Sequence, residues 1–168
     1  MDSKDKQVRY DVDGSDNVTE SLQNLLNQFP GLSPGDEIAY STLEENSGKA
    51  MFPITGAVIE TEKKSVTGKV RQICLYPFFL VYRAAGLSEE QKVRVKEWLD
   101  TLGKWLERQE VTINNQPYKL DKYPELTGQR KFLSISRQTP SYLDNTSENN
   151  TEDWVIQISA QYQHEFHK

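Results

Sequence analysis

The sequence predicts an α+β fold in which an antiparallel, mainly four-stranded sheet is packed by two helices. Two segments place apolar residues at the three- and four-residue steps that are typical of amphipathic helices. Other segments alternate apolar and polar residues or form short apolar runs, as strands do. The 168 residues fit one domain with one core, and we expect residues 17–168 to form it.

Composition excludes several classes of protein. Hydrophobic residues make up 36% of the chain and include three Trp, eight Tyr and six Phe, which is too apolar for a disordered protein. The longest apolar run, 73–82, contains Pro77 and is far shorter than the roughly 20 residues of a membrane-spanning helix. A net charge of −5 disfavours non-specific binding of nucleic acid. Cys74 is the single cysteine, which excludes an internal disulfide and a multi-cysteine zinc site.

Residues 1–16 are rich in charge and hold few apolar side chains, so we expect a flexible N-terminal arm. No apolar stretch typical of a secretion signal follows Met1, and we expect the chain to fold in the cytoplasm. The first helix is predicted to begin at Asn17, which forms a capping box with Glu20, and to end at Pro30. Its apolar stripe comprises Val18, Leu22, Leu25, Leu26 and Phe29.

Strand-like patterns follow the first helix. Residues 37–41 predict a weak strand, 43–52 a loop rich in Glu, Asn, Ser and Gly, and 54–60 a second strand. Residues 62–69 predict a polar connection that turns at Gly68. This connection is therefore expected to form the tip of a hairpin.

The most apolar element is a strand predicted at 70–83. Its two faces carry different apolar sets, Ile73, Leu75, Phe79 and Val81 on one, and Cys74, Tyr76, Phe78, Leu80 and Tyr82 on the other. Both faces must be covered. The two helices can cover one face, and few other residues of the chain are left to cover the second face. Pro77 cannot donate to a ladder, so it predicts a bulge or an edge.

The second helix has the strongest local signals. Ser88 and Gln91 form a capping box at its start, and we expect the helix to end near Gln109. Its apolar stripe comprises Val95, Trp98, Leu99, Leu102, Trp105 and Leu106.

The remaining chain is predicted to contain two loops and two strands. Residues 111–128 predict a packed loop, 130–138 a strand, and 139–153 a long acidic loop without a basic residue. Residues 154–166 alternate over an unusually long strand. One face of that strand carries Trp154, Ile156, Ile158, Ala160, Tyr162 and Phe166.

Catalytic and cofactor motifs are absent from the sequence, which contains no G-x-x-x-x-G-K-[ST], G-x-G-x-x-G, G-x-S-x-G or H-E-x-x-H pattern. His164 and His167 fall on opposite faces of the last strand, where they cannot readily share a metal ion. Cys74 lies in an apolar strand, which favours a buried, inert thiol. We therefore predict no catalytic, cofactor-binding or metal-binding residue, no cofactor and no enzyme activity.

A basic cluster surrounds the expected hairpin tip and comprises Lys63, Lys64, Lys69 and Arg71. A solvated turn that keeps a sheet edge from aggregating explains these charges better than contact with phosphate does.

Four segments resemble a known family: the helix SLQNLLNQFPGL, the strand pair AVIETEKKSVTGKVRQICLYPFFLVYR, the helix end LGKWLERQ and the closing strand WVIQISAQYQHEF. In this order, over residues 20–166, they resemble the tail terminator proteins (minor capsid, head–tail joining proteins) of siphophages and prophages of Gram-positive bacteria. The resemblance implies a tail-terminator-like fold and a structural virion protein. Such a protein forms a ring, expected to be hexameric, that caps the head-proximal end of the tail tube, stops tube polymerisation and provides the interface to the head connector.

The resemblance also implies partners and a location. Expected partners are further copies of the chain, the major tail tube protein and a head-completion or connector protein, while DNA passes through the bore without specific binding and no membrane is involved. The expected location is the head-proximal end of the virion tail, after assembly in the host cytoplasm.

Two groups of residues are predicted to serve such a ring. The subunit interface is assigned to the apolar strand, at Ile73, Leu75, Tyr76, Phe78, Phe79 and Leu80. The lumen or axial loop is assigned to the acidic segment, at Asp144, Glu148, Glu152 and Asp153.

Two other functions stay open at this point. One is a monomeric, phage-encoded adaptor or inhibitor that binds a host protein through an exposed sheet edge. The other is an enzyme, for which the neighbouring carboxylates Glu44 and Glu45 are the residues to test.

Overall fold

The computed structural model describes residues 7–168 of the chain. In these residues two helices pack on one side of a mainly antiparallel sheet of seven strands, and two further strands form a separate hairpin. The helices are α1 (Val12–Leu26) and α2 (Glu89–Leu106). The strands are β1 (Ile38–Tyr40), β2 (Gly48–Pro53), β3 (Val58–Lys64), β4 (Lys69–Ala85), β5 (Val111–Ile113), β6 (Gln116–Tyr118), β7 (Arg130–Arg137), β8 (Tyr142–Thr146) and β9 (Thr151–His167).

The α+β class with two helices is confirmed, but the expectation of a mainly four-stranded sheet is wrong. β2 lies largely within the predicted loop 43–52, and β8 lies within the predicted acidic loop 139–153. β2 contains Gly, Lys, Ala and Pro, which have little preference for strands, and β8 is exposed along its whole length. Both strands are held by pairing with a distant strand, which local patterns do not reveal.

β4 and β9 form the centre of the sheet. They pair in continuous antiparallel register over 17 residues, from Lys69 opposite His167 to Ala85 opposite Thr151. β3 and β2 share the outer edge of β4, and β7 and β8 share the outer edge of β9. The long strands predicted by alternation are present and extend beyond their predicted ends.

Pro77 lies in the middle of β4 and causes no bulge, since it pairs with Ser159 in uninterrupted register. Its carbonyl accepts a hydrogen bond of 3.0 Å from the N–H of Ile54, in the gap between β2 and β3. The N–H and C=O of a strand residue point to the same side, so the position of the absent N–H also faces this gap. Pro77 therefore occupies a local edge, one of its two predicted settings, and costs no ladder bond to β9.

The core lies between the helices and one face of the sheet. β4 and β9 contribute alternate residues to it, and their largest side chains are Tyr76, Phe78 and Tyr162, each at most 1% exposed. α1 adds Val18, Leu22, Leu25 and Leu26, and α2 adds Leu99, Leu102, Trp105 and Leu106. Burial of each large apolar side chain contributes about 1.5–3 kcal/mol, so this face supplies most of the hydrophobic stabilisation.

The N-terminal segment differs from its predicted state. Helix α1 begins at Val12 and not after Asn17, because the side chain of Asp11 caps it by accepting from the N–H of Gly14 at 3.1 Å. The carbonyl of Arg9 accepts from the N–H of Ile59, which fixes the segment to β3. Residues 12–16 are therefore helix and not part of an arm, and residues 1–6 of the predicted arm lie outside the described residues.

α2 begins as predicted, with a complete capping box between Ser88 and Gln91. It ends at Leu106, short of Gln109, because Arg108 takes a positive φ of 63° that a helix does not allow. Gly103 faces the sheet, where a Cβ would meet the side chain of Arg137 at 2.5 Å. The glycine thus permits the close approach of α2 to β7.

Candidate interaction surface

The second face of the sheet, which neither helix covers, is the candidate functional surface of the described residues. We call it the open face. Strand register assigns to it alternate residues of β4 and β9 and their neighbours on the flanking strands. Its apolar members are Phe52, Val58, Ile73, Leu75, Pro77, Phe79, Val81, Tyr142 and Val155, and its polar members include Ser134, Ser136, Gln157, Ser159, Gln161 and Gln163.

The apolar members form a stripe along β4. Burial along β4 alternates between fully buried residues on the helix side and half-buried residues on the open side. The five open-side residues from Ile73 to Val81 are apolar, whereas β9 places mostly Gln and Ser beside them. A contiguous, partly exposed apolar surface of this kind usually marks a site of interaction with another protein.

The structure divides the six predicted interface residues between the two faces. Tyr76, Phe78 and Leu80 are at most 2% exposed and pack beneath the helices, so they are not available to another subunit in this fold. The other three, Ile73, Leu75 and Phe79, lie half-buried on the open face. Alternation correctly separated the two sets, but it could not show which face the helices cover.

One end of the open face forms a depression that we call the apolar dish, with a volume of about 230 Å³. Its apolar lining comprises Leu43, Phe52, Phe79, Val81, Tyr142 and Val155. Arg83, Asp144 and Asp153 complete the lining. Sequence reasoning missed Leu43, Phe52 and Tyr142, because all three fall in segments predicted to be loops.

Arg83 fixes the polar edge of the dish. Its Nε and Nη2 atoms donate to the two carboxylate oxygens of Asp153 at 2.7 and 3.0 Å, and its Nη1 donates to the carbonyl of Glu44 at 3.1 Å. The hydrogen bonds to Asp153 raise the pKa of Arg83 above its ordinary value. The bidentate pair fixes the guanidinium, and the hydrogen bond from Nη1 ties the segment around Glu44 to the end of the central ladder.

The four predicted acidic lumen residues do not form one loop. Asp144 lies on β8 and Glu148 in the turn between β8 and β9, and both are exposed. Glu152 is buried, where it pairs with Lys92 at 3.1 Å and accepts from Trp154 Nε1 at 3.0 Å. Asp153 pairs with Arg83. Two of the four carboxylates are therefore paired within the chain, and two face solvent.

The opposite end of the central ladder carries the predicted basic hairpin tip. The turn between β3 and β4 closes with Gly68 at a φ of +88°, and Val66 at its apex is fully exposed. Lys63 and Lys64 are exposed beside the turn. Lys69 and Arg71 contact Glu165 of β9, with 2.9 Å between Lys69 Nζ and the carboxylate and 3.4 Å from Arg71.

A buried ion pair lies on the helix side of the sheet. Arg130 donates through Nε and Nη2 to the two carboxylate oxygens of Asp11, both at 2.8 Å, and Tyr162 donates its hydroxyl to Asp11 at 2.6 Å. Burial raises the pKa of Asp11, but these hydrogen bonds outweigh it and hold the pKa below its ordinary value. Because the pair joins α1 to β7 and β9, its role is structural.

Cys74 lies in the interior and the two histidines lie on opposite faces of β9, as the sequence predicted, although His164 is half-buried. Cys74 is buried, and burial raises the pKa of its thiol to about 11, which suppresses the reactive thiolate. His164 is on the helix side, where burial lowers its pKa, and His167 is on the opposite side at the end of β9. Among residues 7–168, no group of three or more His, Cys, Asp or Glu side chains could hold a metal ion.

A larger cavity of about 680 Å³ lies beside Tyr123 and β7. Two of its arginines already have partners, since Arg108 donates to the carbonyls of Leu120 and Asp121 and Arg130 pairs with Asp11. The open face is therefore the stronger candidate for function.

In the part of the chain that the structure describes, no helix combines the length and the apolar character needed to cross a membrane. The fold and the open face thus define an α+β protein with one covered and one uncovered sheet surface. A comparison of the chain with models of protein families and with curated proteins found no match to either.

Proposed function

We propose that this protein is a structural virion protein of the tail terminator type. Its copies form a ring, expected to be hexameric, that caps the head-proximal end of a phage tail tube, stops tube polymerisation and provides the interface to the head connector. The observation that supports this proposal is the apolar stripe on the open face, where Ile73, Leu75 and Phe79 are only partly covered by the rest of the chain.

Self-association is the economical way to cover such a stripe. Removal of apolar surface from water stabilises an interface by about 25 cal/mol per Å² before the costs of association are subtracted. In a closed ring every subunit uses the same contacts, so every copy of the stripe is covered and no end stays free.

The proposed ring acts through contacts repeated around its axis and through the difference between its two sides. One of its sides docks on the last layer of tube protein, and repetition around the axis multiplies a modest affinity for each subunit. The other side lacks the surface that a further tube layer requires, so growth stops and the connector can bind. An exposed carboxylate such as Glu148 in the bore would repel phosphate, so DNA would pass without specific binding.

Tube capping tests this proposal. Purified protein is added to polymerising tail tube protein and the tubes are imaged by negative-stain electron microscopy. We expect a ring at one end of each tube and arrested growth from that end. Tubes that grow at both ends as fast as without the protein would contradict the proposal.

A matched pair of variants connects the result to the open face. Leu75→Arg places a charge in the stripe, while Val93→Arg places the same charge on α2, where Val93 is 55% exposed. We expect Leu75→Arg to abolish capping and Val93→Arg to retain it. Circular dichroism establishes that both variants are folded.

The exposed strand β8 supports a second candidate, the monomeric adaptor or inhibitor that binds a host protein. β8 pairs on one side only, with β9, and all five of its residues are exposed, including Tyr142 and Leu143. Such an edge can accept a strand from another protein. This candidate predicts a monomer whose binding to a purified host protein is lost in Leu143→Pro, because proline removes an N–H from the edge.

A further inference from the structure

We propose that the hairpin tip of one copy inserts Val66 into the apolar dish of the next copy. This inference rests on the proposed self-assembly into a ring and names the contact that builds it. The occupant of the dish is thus a second copy of this chain, which binds head to tail.

The tip is shaped as an apolar knob with a basic collar. Val66 is 106% exposed at the apex of the β3–β4 turn, so the chain itself provides no contact for its side chain. Lys63 and Lys64 are exposed on the strand that enters the turn and form the basic collar, while Lys69, on the strand that leaves it, pairs with Glu165. Turn positions are dominated by Gly, Pro, Asn, Asp and Ser, and Val66 is none of these.

The dish is the complementary surface. Its volume of about 230 Å³ and its lining of Phe52, Phe79, Val81 and Tyr142 suit a small branched side chain. Asp144 lies on its edge, and the exposed carboxylates Glu44 and Glu45 follow directly after Leu43 of its lining. An apolar knob with a basic collar therefore faces an apolar depression with acidic residues around it, and the two are matched in both respects.

Knob and dish cannot meet within one copy. Twelve residues of β4 separate Lys69, next to the tip, from Val81 in the dish, which is about 40 Å along a strand at 3.3 Å per residue. A contact between two different surfaces of identical chains is heterologous, and such contacts generate rings when the rotation between neighbours closes. The two ends of the central ladder thus supply both halves of a ring contact.

Variants on each half test the contact by sedimentation velocity. Val66→Asp carries a charge into the dish, and Tyr142→Arg places a charge in the dish that repels the basic tip. We expect each variant alone to sediment as a monomer, and a mixture of the two to associate, because an intact tip then meets an intact dish. Val93→Asp, the same change at the exposed position on α2, is expected to assemble like the unaltered protein.

A cysteine pair provides an independent readout. The double variant Val66→Cys/Tyr142→Cys is expected to form chains or closed rings of disulfide-linked copies on mild oxidation, since the native Cys74 is buried. The single variants are expected to give no such ladder.

The outcomes separate this inference from the proposed function. If Val66→Asp assembles like the unaltered protein, or if the two variants fail to associate on mixing, the knob-and-dish contact is wrong, whether or not the protein caps tubes. A monomeric unaltered protein at all concentrations also overturns the contact. If assembly depends on Val66 but tubes grow unchecked, the contact stands and the tail terminator function is wrong.

Discussion

At the scale of single residues, Asp11 decides how the N-terminal part of the chain is anchored. Its carboxylate caps α1 and accepts hydrogen bonds from Arg130 and Tyr162, which lie more than a hundred residues away in sequence. The side chains of Asp11 and Arg130 are 6% and 9% exposed. Loss of one partner leaves the other charge buried and unpaired.

Arg130→Met is expected to lower the free energy of unfolding by about 3–5 kcal/mol, because it leaves the Asp11 carboxylate buried without its cationic partner. Urea denaturation measures this change. The matched control is Arg94→Met, whose exposed pair with Glu90 is expected to contribute less than about 0.5 kcal/mol. Equal effects of the two substitutions would contradict the role assigned to the buried pair.

The same pair predicts a pH dependence. The pKa of Asp11 is lower in the folded than in the unfolded chain, so its stabilising contribution is present above the unfolded pKa, near 3.8. It is lost as the pH falls through the folded pKa, because the folded chain must then take up a proton that disrupts the pair. We expect the free energy of unfolding to fall between pH 5 and pH 2 less steeply in Asp11→Asn than in the unaltered protein. Parallel pH profiles would contradict this expectation.

At the scale of secondary structure, local signals predicted some elements and missed others for physical reasons. The capping box at Ser88 and the alternation along β4 and β9 are encoded by neighbouring residues, so the sequence predicted these elements well. β2 and β8 depend on distant partners and were predicted as loops. The start of α1 was misplaced because Asn17 and Glu20 resemble a cap, while Asp11 acquires its role from Arg130.

At Gly103 the packing of α2 against the sheet outweighs the low preference of glycine for helices. Alanine is favoured over glycine in a helix by up to about 1 kcal/mol. A Cβ at this position would nevertheless lie 2.5 Å from Cδ of Arg137 and 3.4 Å from Ile156, and Arg137 is held by Glu107. We expect Gly103→Ala to destabilise the protein by about 1–3 kcal/mol in thermal or urea unfolding, as overpacking does. Lys104→Ala, one residue further and exposed, is the control, and a stabilised Gly103→Ala would contradict this packing.

In the molecule as a whole, a basic cluster and an acidic cluster lie at opposite ends of the β4–β9 ladder. Basic residues surround the β3–β4 tip, and exposed carboxylates gather near the β8–β9 turn. The sequence revealed both charge clusters and the alternation of β4. It could not reveal the apolar dish, since Leu43, Phe52 and Tyr142 come together only when β2 and β8 pair with the central strands.

This separation predicts that assembly depends on salt. Attraction between the basic tip and the acidic surroundings of the dish accelerates encounter, and the Debye length shortens from about 10 Å at 0.1 M to about 3 Å at 1 M salt. We expect the rate of assembly, followed by light scattering, to fall between 0.05 and 0.5 M NaCl, because the Debye length shortens about threefold over this range. An assembly rate that is indifferent to salt would contradict the contribution of these charges.

The most direct test of the account is the mass of the assembled protein across a range of concentrations, measured by sedimentation velocity with and without tail tube protein. We predict a closed species of several 19.4 kDa subunits, and we expect Phe79→Lys, which places a charge on the open face, to abolish it. A 19.4 kDa monomer under every condition would contradict the claim that copies of this chain cover the open face.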